Sequence, residues 1–162
     1  MTYEQYDAAD FASWGVDFLK YGDCNGIGIP KISRFNSMRD ALNKTGRPIF
    51  YSIAKGDLSD IAPIACSISN SWRSSIKVLD AWEYTRSSFQ VTNYYADNQT
   101  SGCFNDPDYL AVGLKKLSSQ EERSQFALYA IAKAPLLISA DLSQITANSL
   151  AILKNPYLIR VN

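Results

Sequence analysis

The feature that most constrains this chain is the repeated exchange of two hydrophobic periods along it. Segments apolar at three- and four-residue intervals alternate with short apolar runs of strand character. Residues 4–13 have helical spacing through Tyr6, Ala9, Phe11 and Trp14, and 16–21 then reads as a strand closed by Gly22-Asp23. After a loop rich in Gly and Asn, the spacing predicts a helix over 33–44 with Phe35, Met38, Ala41 and Leu42 on one side. Thr45-Gly46 ends it, and 48–53 is the next strand. Residues 61–68 are apolar but short, and fit helix or strand. A further helix is expected over 74–84, with Ile76, Leu79, Ala81 and Trp82 on its apolar side. Residues 86–105, polar and rich in Asn and Tyr, read as a long loop of the kind that carries function or moves.

The last third is patterned more sharply. Residues 109–113 suggest a strand end, and Ser118-Ser119-Gln120-Glu121 is a capping box opening a helix to about residue 133. The run 135–139, apolar on both faces, predicts a buried strand. A helix over 141–154 and a final strand over 157–161 complete the reading. Helices alternating with short apolar strands predict parallel βαβ architecture, with ligand sites at the C-terminal strand ends. About four or five βα units are present, whereas a complete (β/α)8 barrel needs roughly 250 residues. The fold class is therefore α/β, as a small open sheet or as part of a TIM barrel. No glycine-rich phosphate loop follows a strand, which argues against dinucleotide and P-loop domains.

Composition removes several functions. The formal net charge of +0 gives no basic stripe for nucleic acid, and no apolar run reaches the about 18 residues of a membrane span. A hydrophobic content of 46% is enough for one core and argues against disorder. The sequence has no histidine, which excludes His-based triads and most zinc sites, so no metal or cofactor is expected. Acid–base chemistry must rest on carboxylates, Lys, Tyr or Cys. Cys24, Cys66 and Cys103 form no CxxC pair, and an odd count leaves at least one thiol unpaired within the chain; three buried free thiols is the plainest reading. The first residues lack the basic and apolar regions of a signal peptide. Asn43-Lys44-Thr45 and Asn98-Gln99-Thr100 are N-glycosylation sequons, making Asn43 and Asn98 candidate acceptors.

Four segments in series carry a resemblance. They are Trp14-Gly15-Val16-Asp17-Phe18-Leu19-Lys20-Tyr21, Ala41-Leu42-Asn43-Lys44-Thr45-Gly46-Arg47-Pro48-Ile49-Phe50-Tyr51-Ser52, Phe104-Asn105-Asp106-Pro107-Asp108-Tyr109-Leu110, and the stretch from Ala127 through Ala134-Pro135-Leu136-Leu137-Ile138-Ser139 to Asp141-Leu142. In order and spacing, over nearly the whole chain, they resemble family 27 glycoside hydrolases, whose main members are α-galactosidases. The resemblance implies the C-terminal half of the catalytic barrel, about the fourth to eighth βα units, with residues 1–162 forming one incomplete barrel and no second domain. It implies an α-galactoside as substrate, a secretory-pathway location, and Cys24 and Cys66 as disulfide candidates, the partner of Cys24 lying upstream. Half a barrel exposes strand edges and apolar inner faces, so the isolated chain is expected to be poorly soluble or molten.

The family removes terminal α-linked galactose with retention. One carboxylate attacks the anomeric carbon and a second, about 5–5.5 Å away, protonates the leaving oxygen. The family's nucleophile motif is Lys-Tyr/Phe-Asp-x-Cys; here the stretch is Lys20-Tyr21-Gly22-Asp23-Cys24, with Gly22 at the nucleophile position. A one-residue slip in a strand turns a side chain to the opposite face. Asp23 is then either a displaced nucleophile or a loop-capping aspartate. Lys20 resembles the family's sugar-contacting lysine, and Asp17 in the same motif reads as structural. The polar sugar contact and tryptophan expected after Tyr51-Ser52 are replaced by Ile53-Ala54-Lys55-Gly56. The acid/base aspartate should lie four residues after a sugar-binding arginine. Arg73 matches that arginine, but the residue four positions after it is Lys77. A second alignment puts the acid near Ser67, again not a carboxylate. Asp108, in Asn105-Asp106-Pro107-Asp108, matches a carboxylate that accepts sugar hydroxyls, with Asp106 in support. Tyr94, Tyr95 and Tyr109 are candidates for stacking on sugar faces or for ordinary packing. The implied function is an α-galactosidase-like chain with impaired chemistry, or a non-catalytic carbohydrate-binding relative.

Overall fold

The computed structural model describes residues 3–24, 26, 28–54, 60–75 and 81–162. Its elements run α1 (Glu4–Ser13), β1 (Phe18–Gly22), α2 (Lys31–Lys44), β2 (Phe50–Ala54), α3 (Ala65–Ile68), β3 (Ser71–Arg73), α4 (Trp82–Tyr94), β4 (Phe104–Asp106), α5 (Ser119–Ile131), α6 (Ala147–Leu153) and α7 (Pro156–Val161). A single 3₁₀ turn, Ala96–Asn98, follows α4. The chain divides into two compact units, one of Met1–Arg73 with Asn98–Cys103, the other of Ser74–Asp97 with Phe104–Asn162.

The first unit is a parallel sheet with its helices. β1 pairs with β2 from Phe18↔Phe50 to Gly22↔Ala54, and β2 pairs with β3 at Ser52↔Ser71 and Ile53↔Trp72. α2 supplies the apolar layer: Phe35, Met38, Ala41 and Leu42 are buried on the face its spacing predicts. The helix stops where Thr45 donates from its hydroxyl to the Leu42 carbonyl (2.7 Å) and Gly46 takes φ +75°. Tyr51, Ile53 and Trp72 are buried against this layer. α1 forms as expected but presents a different face. Ala8 is its buried residue, while Tyr6 and Trp14 are 72% and 70% exposed. The ambiguous stretch 61–68 closes as turns and the short helix α3.

The second unit departs further from the periodicity. Of the expected 74–84 helix, residues 76–80 lie outside the described residues; α4 starts at Trp82, after an extended Ala81, and runs through much of the expected loop to Tyr94. Its buried stripe is Thr85, Ser88 and Thr92, a helical face without an apolar signal. Hydrogen bonds make that face tolerable: Ser74 and Thr92 hydroxyls meet at 2.7 Å, Asn105 Nδ2 donates to the Thr92 carbonyl at 2.7 Å, and Gln125 Nε2 donates to Thr85 Oγ1 at 3.0 Å. The expected strands at 109–113 and 135–139 reduce to one parallel bridge, Leu110↔Ile138, with Ile138 45% exposed. The 141–154 helix shortens to α6, because Asp141 Oδ1 takes the Ser143 amide (2.9 Å) and hydroxyl (2.8 Å) and Thr146 caps Ser149. The expected strand at 157–161 is the helix α7: Asn155 Oδ1 accepts from the Tyr157 and Leu158 amides and Pro156 occupies the first turn. The capping box is present as read, with Ser118 and Glu121 reciprocally bonded. Leu110, Val112, Phe126, Tyr129, Ile152 and Leu153 form the core of this unit.

Candidate functional site

In the first unit, strand alternation sorts the candidate residues. The Tyr51 hydroxyl donates to the Phe35 carbonyl of α2 at 3.2 Å, so Tyr51 and its register partner Leu19 mark the helix side. Phe18, Lys20, Gly22, Phe50, Ser52, Ala54, Ser71 and Arg73 share the other face. Phe18 and Phe50 stack there at 5.3 Å, and the Ser52 hydroxyl donates to that of Ser71 at 3.4 Å. Lys20 stands in one row with Ser52 and Ser71, and Arg73 lies two residues further along β3. Two cations and two hydroxyls thus occupy the face towards which Gly22 also points.

Asp23 lies elsewhere. Its carboxylate pairs with Arg34 and with Lys31 (3.1 Å), both on α2. Arg34 also donates from Nη1 to the Cys24 carbonyl at 3.1 Å, so one nearly buried guanidinium holds the turn after β1 from two sides. Gly26 completes the wrap, because a Cβ there would overlap the Arg34 guanidinium. Sequence reading missed Arg34: it sits beside Phe35 on the buried side of a helix, where a charge carries no periodic signal. Tyr21 and Tyr51 stay neutral, their pKa values raised chiefly by burial and then by Glu4 for Tyr21 and by Tyr21 for Tyr51.

Asp17 pairs with Arg47 (2.6 Å), which also donates to the Val16 and Gly15 carbonyls. This cluster ties together the entries to β1 and β2, where barrels conserve stability rather than chemistry. A concavity of about 510 Å³ at those entries, lined by Asp17, Asn43, Arg47, Pro48 and Phe50 among others, is at the opposite strand ends from Gly22 and Arg73.

The cysteines correct the plain reading of three buried thiols. Cys66 is joined to Cys103, while Cys24 is a free, exposed thiol. Asn43 is exposed in the last turn of α2, and Asn98 is partly buried in the 3₁₀ turn. Ser67 is exposed on α3, its hydroxyl donating to the Ile64 carbonyl at 2.7 Å. Lys55 and Lys77 lie outside the described residues.

In the second unit, β4 delivers the Asn105-Asp106-Pro107-Asp108 motif. Asp106 Oδ1 accepts the Asp108 amide at 2.8 Å across the proline, and Asp108 adopts φ +80°. Asp106 is 0% and Asp108 5% exposed. Tyr94, 79% exposed, packs edge-on to Tyr95, and Tyr109 is 41% exposed. Among the described residues no cluster of His, Cys, Asp and Glu could hold a metal ion, and no helix is long and apolar enough to cross a membrane.

Parallel strands alternating with helices, and polar residues gathered where β1 and β3 end, define the class: the chain is an α/β protein built as part of a (β/α)8 barrel. It belongs to the α-galactosidase family, since the family model described as Alpha galactosidase A matches residues 1–162. Alpha-galactosidase 3 of Arabidopsis thaliana is 43% identical over 162 residues, covering 100% of this chain and 37% of that protein. The alpha-galactosidase of Cyamopsis tetragonoloba is 39% identical, over 100% of this chain and 39% of its own. The solved alfa-galactosidase of Saccharomyces cerevisiae with raffinose superposes with a TM-score of 0.83 at 31% identity, covering 98% of this chain and 41% of that one. The chain therefore spans about two fifths of the length of the relatives it matches.

Proposed function

We propose that residues 1–162 form the later portion of an α-galactosidase-type catalytic barrel, about its fourth to eighth βα units, that holds α-galactosyl groups while hydrolysing them poorly. Lys20, Arg73 and Asp108 are the sugar contacts in this reading, and Asp106 supports Asp108. The observation that carries it is the division of labour at the end of β1. Gly22 occupies the face shared with Lys20, and the neighbouring carboxylate, Asp23, is engaged by Arg34 and Lys31. A retaining hydrolase needs an ionised carboxylate aimed at the anomeric carbon, and loss of a tenfold in rate follows each ~1.4 kcal/mol of lost transition-state stabilisation. The Cys66–Cys103 disulfide and two sequons favour a secretory-pathway location.

The test uses a dinitrophenyl α-galactoside, whose leaving group departs with its electron pair and needs no protonation. The purified chain should give no turnover but should be protected against heat by galactose. Gly22→Asp should release about one equivalent of dinitrophenolate as its carboxylate bonds to the anomeric carbon; a Cβ at position 22 meets only Cys24 Sγ, at 3.7 Å, so the change is sterically open. Wild-type turnover abolished by Asp23→Asn would overturn the impaired reading in favour of a displaced nucleophile. Absence of heat protection by galactose would remove the sugar-holding role.

A further inference from the structure

The segment from Pro107 to Gly113 has no ladder of its own beyond the bridge at Leu110, yet its backbone is held in detail by one helix. Tyr129 donates from its hydroxyl to the Pro107 carbonyl at 3.0 Å; Gln125 Oε1 accepts the Ala111 amide at 2.8 Å; Glu122 Oε1 accepts the Gly113 amide at 2.8 Å. Positions 122, 125 and 129 are spaced by three and four residues, hence on one face of α5. The segment runs antiparallel to the helix, so successive bonds are met in reverse order. The three side chains are 4%, 0% and 0% exposed.

Two of them are held at the far side as well. Glu122 Oε2 accepts from the Ser149 hydroxyl at 2.8 Å, and Gln125 Nε2 donates to Thr85 Oγ1. Neither can rotate without losing a buried hydrogen bond, which costs more than making one gains. Tyr129 is packed in the core with Leu110, Val112 and Phe126. Burial foremost, then the negative charges of Asp106 and Asp108, raises its pKa, so it remains a donor. At the far end Gly113 sits at φ +89°, where a Cβ would come within 2.9 Å of Ala140 Cβ. Asp108 itself is at φ +80°, a conformation that a non-glycine residue keeps only when its surroundings over-determine it.

We infer that Glu122, Gln125 and Tyr129 are positioning residues: α5 acts as a ruler that sets the backbone of residues 107–113 and, through it, where the Asp108 carboxylate is presented to sugar. The inference deepens the proposed function and rests on it for the ligand, but not for the mechanical coupling. A residue that merely stabilises the unit would loosen all of α5; a positioning residue loosens one segment and moves one carboxylate.

The experiment compares Tyr129→Phe and Gln125→Met with the conservative Glu122→Gln, which keeps an acceptor for Gly113 and a partner for Ser149. Amide exchange, the Asp108 carboxyl carbon resonance and galactose affinity are measured on the whole chain. Gln125→Met, which removes the acceptor of the Ala111 amide, should speed exchange there about tenfold, the scale of one buried hydrogen bond, and both it and Tyr129→Phe, which frees the Pro107 carbonyl, should speed exchange at Ala111 and Gly113 through the loosened segment, with α5 amides unchanged. They should shift the Asp108 carboxyl resonance and weaken galactose several-fold, while Glu122→Gln stays near wild type in all three. Unchanged exchange at Ala111 and Gly113, equal acceleration throughout α5, or an Asp108 resonance that does not move overturns the ruler. Wild-type protein that does not bind galactose overturns the sugar-holding reading instead, and the exchange and resonance data still decide the ruler.

Discussion

The β1–β2–β3 sheet and the 107–113 segment meet the same requirement, a partner for every buried backbone group, by different means. In the sheet the partner is a neighbouring strand, so side chains alternate and Lys20, Ser52 and Ser71 fall into one row. In the segment three of the partners are Glu122, Gln125 and Tyr129 of a helix, beside Asp106 on the Asp108 amide and the bridge at Leu110. The ladder is made by backbone groups and does not itself dictate the side chains it carries, which is consistent with Gly22 standing where a carboxylate is expected. The segment depends on named polar atoms, and a change in any one is felt by the backbone. A region built on backbone pairing can drift in chemistry while keeping shape; one built on side-chain tethers keeps both or loses both.

The largest effect that tests this contrast is on the disulfide. Cys66–Cys103 closes a loop with a sequence separation of 37 and joins α3 to the residue before β4. Opening it should cost about 4 kcal/mol by loop entropy, read as a lower denaturation midpoint for Cys66→Ala with Cys103→Ala. If the tethered segment is the less self-sufficient region, amides at 107–113 should lose protection before those of β2.

Asp23→Ala comes next. It strips the nearly buried Arg34 guanidinium of its carboxylate and should destabilise by about 3 kcal/mol, most of it from the stranded charge. Chemical denaturation of that variant alongside the double variant Asp23→Ala with Arg34→Met separates the pair from the charge, since removing both partners should restore part of the loss. A variant of unchanged stability would mean that the turn after β1 needs no side-chain tether.

Ser118→Ala is the smallest, about 1 kcal/mol through loss of the α5 cap, and it should raise exchange at the first turn of α5. The Glu121 carboxyl, held below its ordinary pKa by hydrogen bonds from the Ser118 side chain and amide, adds a sign to that effect. Its folded-state pKa is depressed, so its contribution is present above the unfolded carboxylate pKa and is lost as pH falls through the folded value. The wild-type and Ser118→Ala stabilities should therefore converge as pH drops through the carboxylate range.

Much of the fold was legible because its signals are local. Phe35, Met38, Ala41 and Leu42 bury themselves at helical spacing; Ser118 and Glu121 are four consecutive residues' worth of instruction; the expected strands at 16–21 and 48–53 pair as β1 and β2. The sequence pattern failed where burial is polar. α4 hides Thr85, Ser88 and Thr92, which no hydrophobic count detects, and so the pattern there has the look of a loop. The apolar content of residues 157–161 points to a strand, although Asn155-Pro156 ahead of them is a helix start. In the candidate site, Gly22 and Asp23 were readable as a one-residue slip, but Arg34, the partner that accounts for where Asp23 points, was not.

By itself, then, the amino-acid sequence determined the α/β class, the strand alternation that puts Lys20 and Gly22 on one face, and the α5 cap, because each rests on periodicity or on neighbours within four residues, and the family, because four segments keep their order and spacing along the chain. Only the tertiary structure decided that Cys66 meets Cys103, that Arg34 takes Asp23, and that three polar side chains of α5 reach the backbone of 107–113. Those are pairings between positions 11 to 37 residues apart in the first two cases and 9 to 22 in the last. Nothing in a local pattern selects one such partner over another; the choice is made when burial removes water and every remaining donor and acceptor must find its match inside the fold.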